Sequence, residues 1–187
     1  MSETNEASDV HAWIRGGLTL TAATVAAVDE DAIAAYGRDE EACGYLCGPA
    51  AEPLVCDAHT SMPNRANKLH ALDPVRYFRT GRTYFDLDTR KLERAVEAGA
   101  ASGRPVKVLY HSHLDAGAYF SPTDRAAMSM GKLPETEGGA IEIGPGPAWP
   151  LAFLVVSVRE GKVDDRRLFI WDAAARDFVP APFTIAA

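Results

Sequence analysis

Apolar positions recur at spacings of three and four through Val25, Val28, Ala32 and Tyr36, which predicts an amphipathic helix. Thr21 precedes it as a capping hydroxyl and Gly37 follows it as a stop. Leu18-Thr19-Leu20 reads as a short strand before this helix. Ala42 to Leu46 is a predicted buried strand ended by Gly48-Pro49, and Pro53 to His59 is another. Residues 60–85 are rich in turn signals, with Asp73-Pro74 opening a short helical turn and Thr83-Tyr84-Phe85 looking β-like. Asp88 can cap a helix through about Ala101, with Leu92, Ala95, Val96 and Gly99 on one face. Gly103 and Pro105 end it. Val106 to Tyr110 is an apolar strand broken only by Lys107. Ser121-Pro122 is a helix start, a capping hydroxyl followed by Pro at the first helical position, and the helix runs to about Met130. Gly131 to Pro150 holds five Gly and four Pro and reads as a loop. Leu151–Val158 and Val163–Trp171 flank a Glu160-Gly161 turn as a closing hairpin. Strands alternating with helices, then a hairpin, predict a mixed α/β domain.

Length and composition narrow this picture. The 187 residues suit one domain, and residues 1–15 read as a polar, acidic tail before a body at 16–187, with Trp13 and Ile14 able to dock on the core. A mean hydropathy of −0.12 and the lack of a long apolar run exclude a membrane span. Met1 to Val10 has no basic or apolar signal-peptide region. A net charge of −7 offers no basic footprint for nucleic acid. Three cysteines, an odd number, fit a reducing cytoplasm, which is the expected location.

The chemistry concentrates at His111-Ser112-His113, Ser121 and Asp124. Residues two apart on a strand project to one face, so His111 and His113, extending the Val106 strand, can hold one divalent ion. Asp124, at the third position of the next helix, can return a carboxylate as third ligand. Two His and one carboxylate leave a position open, as in catalytic zinc sites. Ser121 can be a helix cap or a donor to a scissile carbonyl. Glu41 stands at the head of a buried strand, where a carboxylate needs a reason. Other polar residues have plainer readings. His11, His59 and His70 lack partners at ligand spacing. Cys43 and Cys47 read as core thiols, with a redox role for Cys43 as the lesser option. Asp29-Glu30-Asp31 reads as a solvated helix face, Arg166-Arg167 as an exposed edge or turn, and Asn64 and Asn67 as turn residues, with Asn64 also a candidate substrate-groove donor.

The run Glu41-Ala42-Cys43-Gly44-Tyr45-Leu46-Cys47-Gly48, then His111-x-His113, seven residues, Ser121, two residues and Asp124, resembles the JAMM (MPN+) zinc metalloisopeptidase family, most of all its short bacterial members. The resemblance spans about residues 17–180. It implies the MPN fold, a curved mixed β-sheet flanked by helices. It implies one zinc held by His111, His113 and Asp124, Glu41 as general base and then general acid, and Ser121 as oxyanion stabiliser. It also implies a substrate, a ubiquitin-like or sulfur-carrier protein cut after its Gly-Gly tail, with no nucleic acid and no membrane partner; oligomeric state, a homodimer included, stays open. Leu114 stands where the family often has Pro, a change of local turn and not of a ligand. No His or Cys follows Asp124, so the second, structural zinc of some eukaryotic members cannot be built from the usual ligands. The alternative is a non-catalytic MPN scaffold, but such members lose the ligands. A zinc nucleobase deaminase needs His-x-Glu and Pro-Cys-x-x-Cys, and a helical zinc protease needs His-Glu-x-x-His; the chain has none of these.

Overall fold

The structure is a computed structural model that describes residues 11–136 and 138–186. Nine strands and four α-helices form the described part: β1 (Leu18–Thr21), α1 (Ala22–Tyr36), β2 (Cys43–Cys47), β3 (Val55–Cys56), β4 (Ala58–Met62), α2 (Ala66–Leu72), α3 (Thr89–Ala101), β5 (Val106–Leu114), α4 (Pro122–Met128), β6 (Ala152–Arg159), β7 (Lys162–Asp172), β8 (Asp177–Ala181) and β9 (Phe183–Ala186). The mixed α/β class and the predicted caps are present. Thr21 Oγ1 accepts the Thr24 amide at the start of α1, and Asp88 accepts the Lys91 amide at the start of α3.

Six strands make the main sheet, in the order β4-β2-β5-β6-β7-β8, and three make a smaller one, β3-β1-β9. β5 is central, antiparallel to β2 and parallel to β6, and all nine of its residues are buried. A strand covered on both faces has to be apolar or fully satisfied on each. One face packs under α1 through Val108 and Tyr110, with Leu20, Leu154 and Val156. The other meets Leu92 of α3 and an aromatic cluster of Phe120, Phe153, Phe169 and Phe178.

Lys107 interrupts the β5 ladder as a bulge. Leu46 pairs with Val108 and Cys47 with Val106, so Lys107 is the extra residue. Its side chain is fully buried. The ammonium donates to the carbonyls of Pro49, Glu52 and Val55 at 2.7–2.9 Å. Three carbonyls use all three ammonium protons, which makes burial of the charge tolerable.

Several sequence expectations need correction. The Asp73-Pro74 turn is present, with the Tyr77 amide bonded to Asp73 O at 2.9 Å, but α2 stands before it and Thr83–Phe85 is not a strand. The Pro53–His59 strand is two, broken at Asp57, and β3 and β4 join different sheets. The hairpin does not close the chain: β8 extends the main sheet and β9 runs parallel to β1. Trp13 is only 3% exposed and donates to Pro150 O at 2.7 Å, while Ile14 stays 40% exposed. Trp13 thus docks on the core as the sequence allows, and residues 1–10 of the expected tail lie outside the described residues. Arg166 is no free edge residue but a fork onto Asp29, with Nε to Oδ1 at 2.8 Å. Asp31 is equally engaged, accepting from Tyr110 at 2.6 Å and Ser61 at 3.0 Å. No helix among the described residues is long and apolar enough to cross a membrane.

Candidate metal centre

β5 carries His111 and His113 onto its α3-side face, and α4 brings Asp124 to meet them. The three ligand atoms form a near-equilateral triangle. His111 Nε2 and His113 Nε2 are 3.2 Å apart, and Asp124 Oδ2 lies 3.3 and 3.5 Å from them. A tetrahedral zinc with bonds of about 2.0–2.1 Å needs neighbouring ligands about 3.3 Å apart. The triangle is one face of such a tetrahedron, so the donor set fits zinc in both chemistry and spacing. All three residues are buried, and they are the only such cluster among the described residues.

Their surroundings set them for ligation. His113 Nδ1 bonds Gly117 O at 2.8 Å, which leaves the Nε2 lone pair for an ion. Burial pushes His111 below the ordinary imidazole range, against the pull of Asp124. Its ring stacks on Phe85, with centroids 4.6 Å apart and planes at 22°. Burial alone would raise Asp124, but His111, His113 and Ser121 together hold its carboxyl well below the usual range. Ser121 and Asp124 close a capping box at the start of α4.

Glu41 comes from the other side. The β2–β5 register pairs Cys43 with His111, and two positions on Glu41 stands opposite His113. Ala42 bonds across to Ser112, N to Oγ at 2.8 Å, and the Glu41 amide donates to Gly81 O at 2.7 Å. The side chain is 5% exposed. Burial, and then the charge of Asp124, raise its carboxyl well above the ordinary value. A cation at the triangle opposes both effects, so ion and carboxylate are thermodynamically coupled.

A pocket of about 100 Å³ opens here, lined by Glu41, Arg82, Thr83, His113, Tyr119 and Ser121. A larger apolar cavity of about 290 Å³ lies behind Phe85, between Leu92, Met128, Trp149 and Phe153, and holds none of the triangle. The chemistry sits at the smaller opening. The 60–85 segment reaches it through Arg82 and Thr83, whereas the 131–150 loop lines the larger cavity.

His111, His113 and Asp124 thus meet in the triangle, and His113, Ser121 and Glu41 line the pocket beside it. Asn64 does not. Its Nδ2 donates to the carbonyls of Glu41 and Tyr84, each at 3.0 Å, and its Oδ1 accepts from the amides of Ala66 and Asp86, each at 3.0 Å. An amide with all four bonds made has none for a substrate, so Asn64 is a strut behind Glu41 and not a groove donor. Asn67 is a second strut, accepting the Gly81 amide at 2.7 Å. Phe85, Tyr119, Gly81 and Ser112 were not singled out from sequence. Only Ser112 had a signal there: lying between two ligands on a strand, it must point to the opposite face.

The model of prokaryotic homologues of the JAB domain matches residues 26–171. No curated protein matches the chain. The solution structure of a Desulfitobacterium hafniense protein is similar at TM-score 0.56 and 17% identity, covering 90% of this chain and 92% of that one. A Salinibacter ruber protein gives 0.54 and 20%, with the same coverage. A JAB1/MPN domain protein from Archaeoglobus fulgidus gives 0.48 and 12%, covering 91% of this chain and 98% of that one. The first two of these structures speak to the fold alone. With the family match covering both histidines, Asp124, Ser121 and Glu41, the chain belongs to the prokaryotic homologues of the JAB domain.

Proposed function

We propose that this protein is a zinc-dependent hydrolase of the JAMM type. Its reaction is cleavage of a peptide or isopeptide bond after the C-terminal Gly-Gly of a ubiquitin-like or sulfur-carrier protein. The observation that carries the reading is the zinc-sized triangle of His111, His113 and Asp124 with a buried carboxylate, Glu41, beside it. Bound zinc would supply Lewis acidity and lower the pKa of water toward about 7.

The chain's own residues do the rest. Glu41 takes the proton of the attacking water and returns it to the leaving amine. Its burial excludes bulk water, so the proton is not lost to solvent. Ser121 Oγ already accepts the Asp124 amide at 3.1 Å, which turns its hydrogen away from that bond and frees it for the developing oxyanion. Tyr119 and Thr83 flank the opening. A pocket this small favours residues without side chains, which is the support for a Gly-Gly tail.

A matched substrate series tests the reading: a ubiquitin-fold carrier fusion, its tail peptide alone, and the fusion with Gly→Leu at the second-last residue. The intact fusion should be cut fastest, because the body supplies binding energy that positions the amide. The Leu variant should be inert. Equal rates for all three would indicate a general peptidase, and zinc-loaded protein that cuts none would indicate a scaffold.

A further inference from the structure

The segment joining β4 to α3 differs in charge from the rest of the chain. From Arg65 to Arg82 it holds five Lys or Arg and one acid, Asp73, in a protein of net charge −7. Two of these cations are used internally: Arg65 on Asp86 at 2.6 Å, and Arg82 on Asp39 and Asp115. Among the described residues, no carboxylate forms an ion pair with Lys68, Arg76 or Arg79. Both arginines are stacked instead. Arg76 lies 5.3 Å from the Tyr77 ring centre, and Arg79 lies 4.5 Å from Phe78 and 5.8 Å from Tyr84. A guanidinium laid on a ring keeps its N–H edge free, and it loses little freedom when that edge grips a carboxylate.

These side chains surround a cleft of about 240 Å³ with Leu69 and Pro134. The acids at its rim are Asp86, already paired with Arg65, and Glu135, which pairs with neither arginine. Leu72 and Val75, 78% and 86% exposed, form an apolar tip beside it. Tyr84 belongs to the cleft, and the next residue, Phe85, stacks on the ligand His111. The cleft and the metal-site pocket are borne by one segment: Arg79 and Tyr84 line the cleft, and Arg82 and Thr83, between them in sequence, line the pocket.

We propose that this basic, aromatic cleft and its Leu72–Val75 tip dock an acidic face of the folded protein whose tail enters the pocket. The identification of that partner as the substrate rests on the hydrolase reading above. Asp or Glu side chains would fork onto Arg76 and Arg79, and an apolar residue between them would cover Leu72 and Val75. Rim charges of this kind select partners and speed encounter more than they add affinity. A nucleic acid would also meet arginine and aromatic rings, but beyond this short strip it would face a protein of net negative charge.

The test uses Glu41→Gln full-length protein, so that binding is read apart from cleavage. The probes are a ubiquitin-fold domain ending in Gly-Gly with an acidic face, its charge-reversed basic version, and a single-stranded RNA 12-mer. The acidic version should bind about tenfold tighter than the basic one, and raising salt from 50 to 300 mM should remove most of that margin. Arg76→Glu with Arg79→Glu should reverse the preference toward the basic version, an outcome that misfolding cannot produce; Arg76→Gln with Arg79→Gln should abolish it. Equal binding of both versions, a preference unchanged in the double variants, or tighter binding of RNA would overturn the proposal. Preference without cleavage by the wild-type protein would overturn the hydrolase reading and leave the docking surface standing.

Discussion

Ser121 and Asp124 hold each other by two reciprocal bonds. The Ser121 amide donates to Asp124 Oδ2 at 2.8 Å, and the Asp124 amide donates to Ser121 Oγ at 3.1 Å. The oxygen so anchored is the one that faces both histidines. A helix cap thus aims the carboxylate that completes the triangle. Ser121→Ala should lose the cap, about 1 kcal/mol of stability. It should loosen zinc about tenfold through the freed carboxylate and lower kcat roughly 10²–10³-fold. Ser121→Thr should restore the melting temperature and zinc affinity. Thermal melts and zinc competition on both variants check this; an alanine variant with unchanged zinc affinity would separate the cap from the ligand.

The triangle predicts one zinc per chain. His113→Ala and Asp124→Ala should each lose it while keeping the fold, because neither residue belongs to the two apolar clusters that form the core. Elemental analysis with circular dichroism reads both. Metal-free wild-type protein, purified without chelator, would argue for a scaffold.

Glu41 makes stability depend on pH in a defined direction. Its folded pKa is raised, by burial first, so in metal-free protein the folded state keeps a proton that the unfolded chain releases. Stability from this group is present below the unfolded value and declines as pH rises above about 4.5 toward the folded one. Glu41→Gln should remove that decline and raise the apo melting temperature by at least about 2 °C at pH 8, with less effect at pH 5. The same variant should retain zinc and lose roughly 10²–10⁴ in rate. Emptying of the zinc site in Glu41→Gln would make Glu41 a ligand.

Cysteine chemistry should be confined to one residue. Burial pushes Cys43 and Cys56 each up to about 12, and Cys43 donates to Met62 O at 3.4 Å. A thiol so held is not a redox partner for the site. Cys47 alone of the three is not fully buried. Iodoacetamide at pH 8 should label Cys47 within minutes and the other two only after unfolding, with activity preserved. Mass spectrometry of labelled peptides reads the order. Early labelling of Cys43 would show that β2 opens locally.

The readable parts of the sequence were those with local signals. Capping residues, the 3.6-residue period of α1 and α3, and the apolar run of β5 each lie within a dozen residues. The five candidate site residues stood out because their spacing is a motif, carried by a resemblance. What was missed depends on distant contacts. Asn64 looks like a turn residue until the backbones of Glu41, Tyr84, Ala66 and Asp86 close around its amide. Asp29 and Arg166 are 137 positions apart, so nothing local marks them as a pair. β8 carries Pro180 opposite Phe169, and it can do so because β8 is an edge strand, where proline is tolerated. α2 lacks a capping side chain at Arg65; Asn64 Oδ1 accepts the first helical amide instead.

The pairing of β1 with β9 bears on the order in which the molecule assembles. Leu18 lies opposite Phe183, and the Thr19 and Thr184 hydroxyls meet at 3.1 Å, across almost the whole chain. β1 is made before its edge partner, which lies about 165 positions further along the chain. Closing so long a loop is slow compared with forming α1 beside it. Until β9 arrives, β1 offers one open strand edge to solvent and to other nascent chains. The six-stranded sheet that carries the metal centre needs neither strand for its own hydrogen bonds. The triangle of His111, His113 and Asp124 can therefore form before the smaller sheet is complete, and the finishing strand is a kinetic seal on a domain whose site is already assembled.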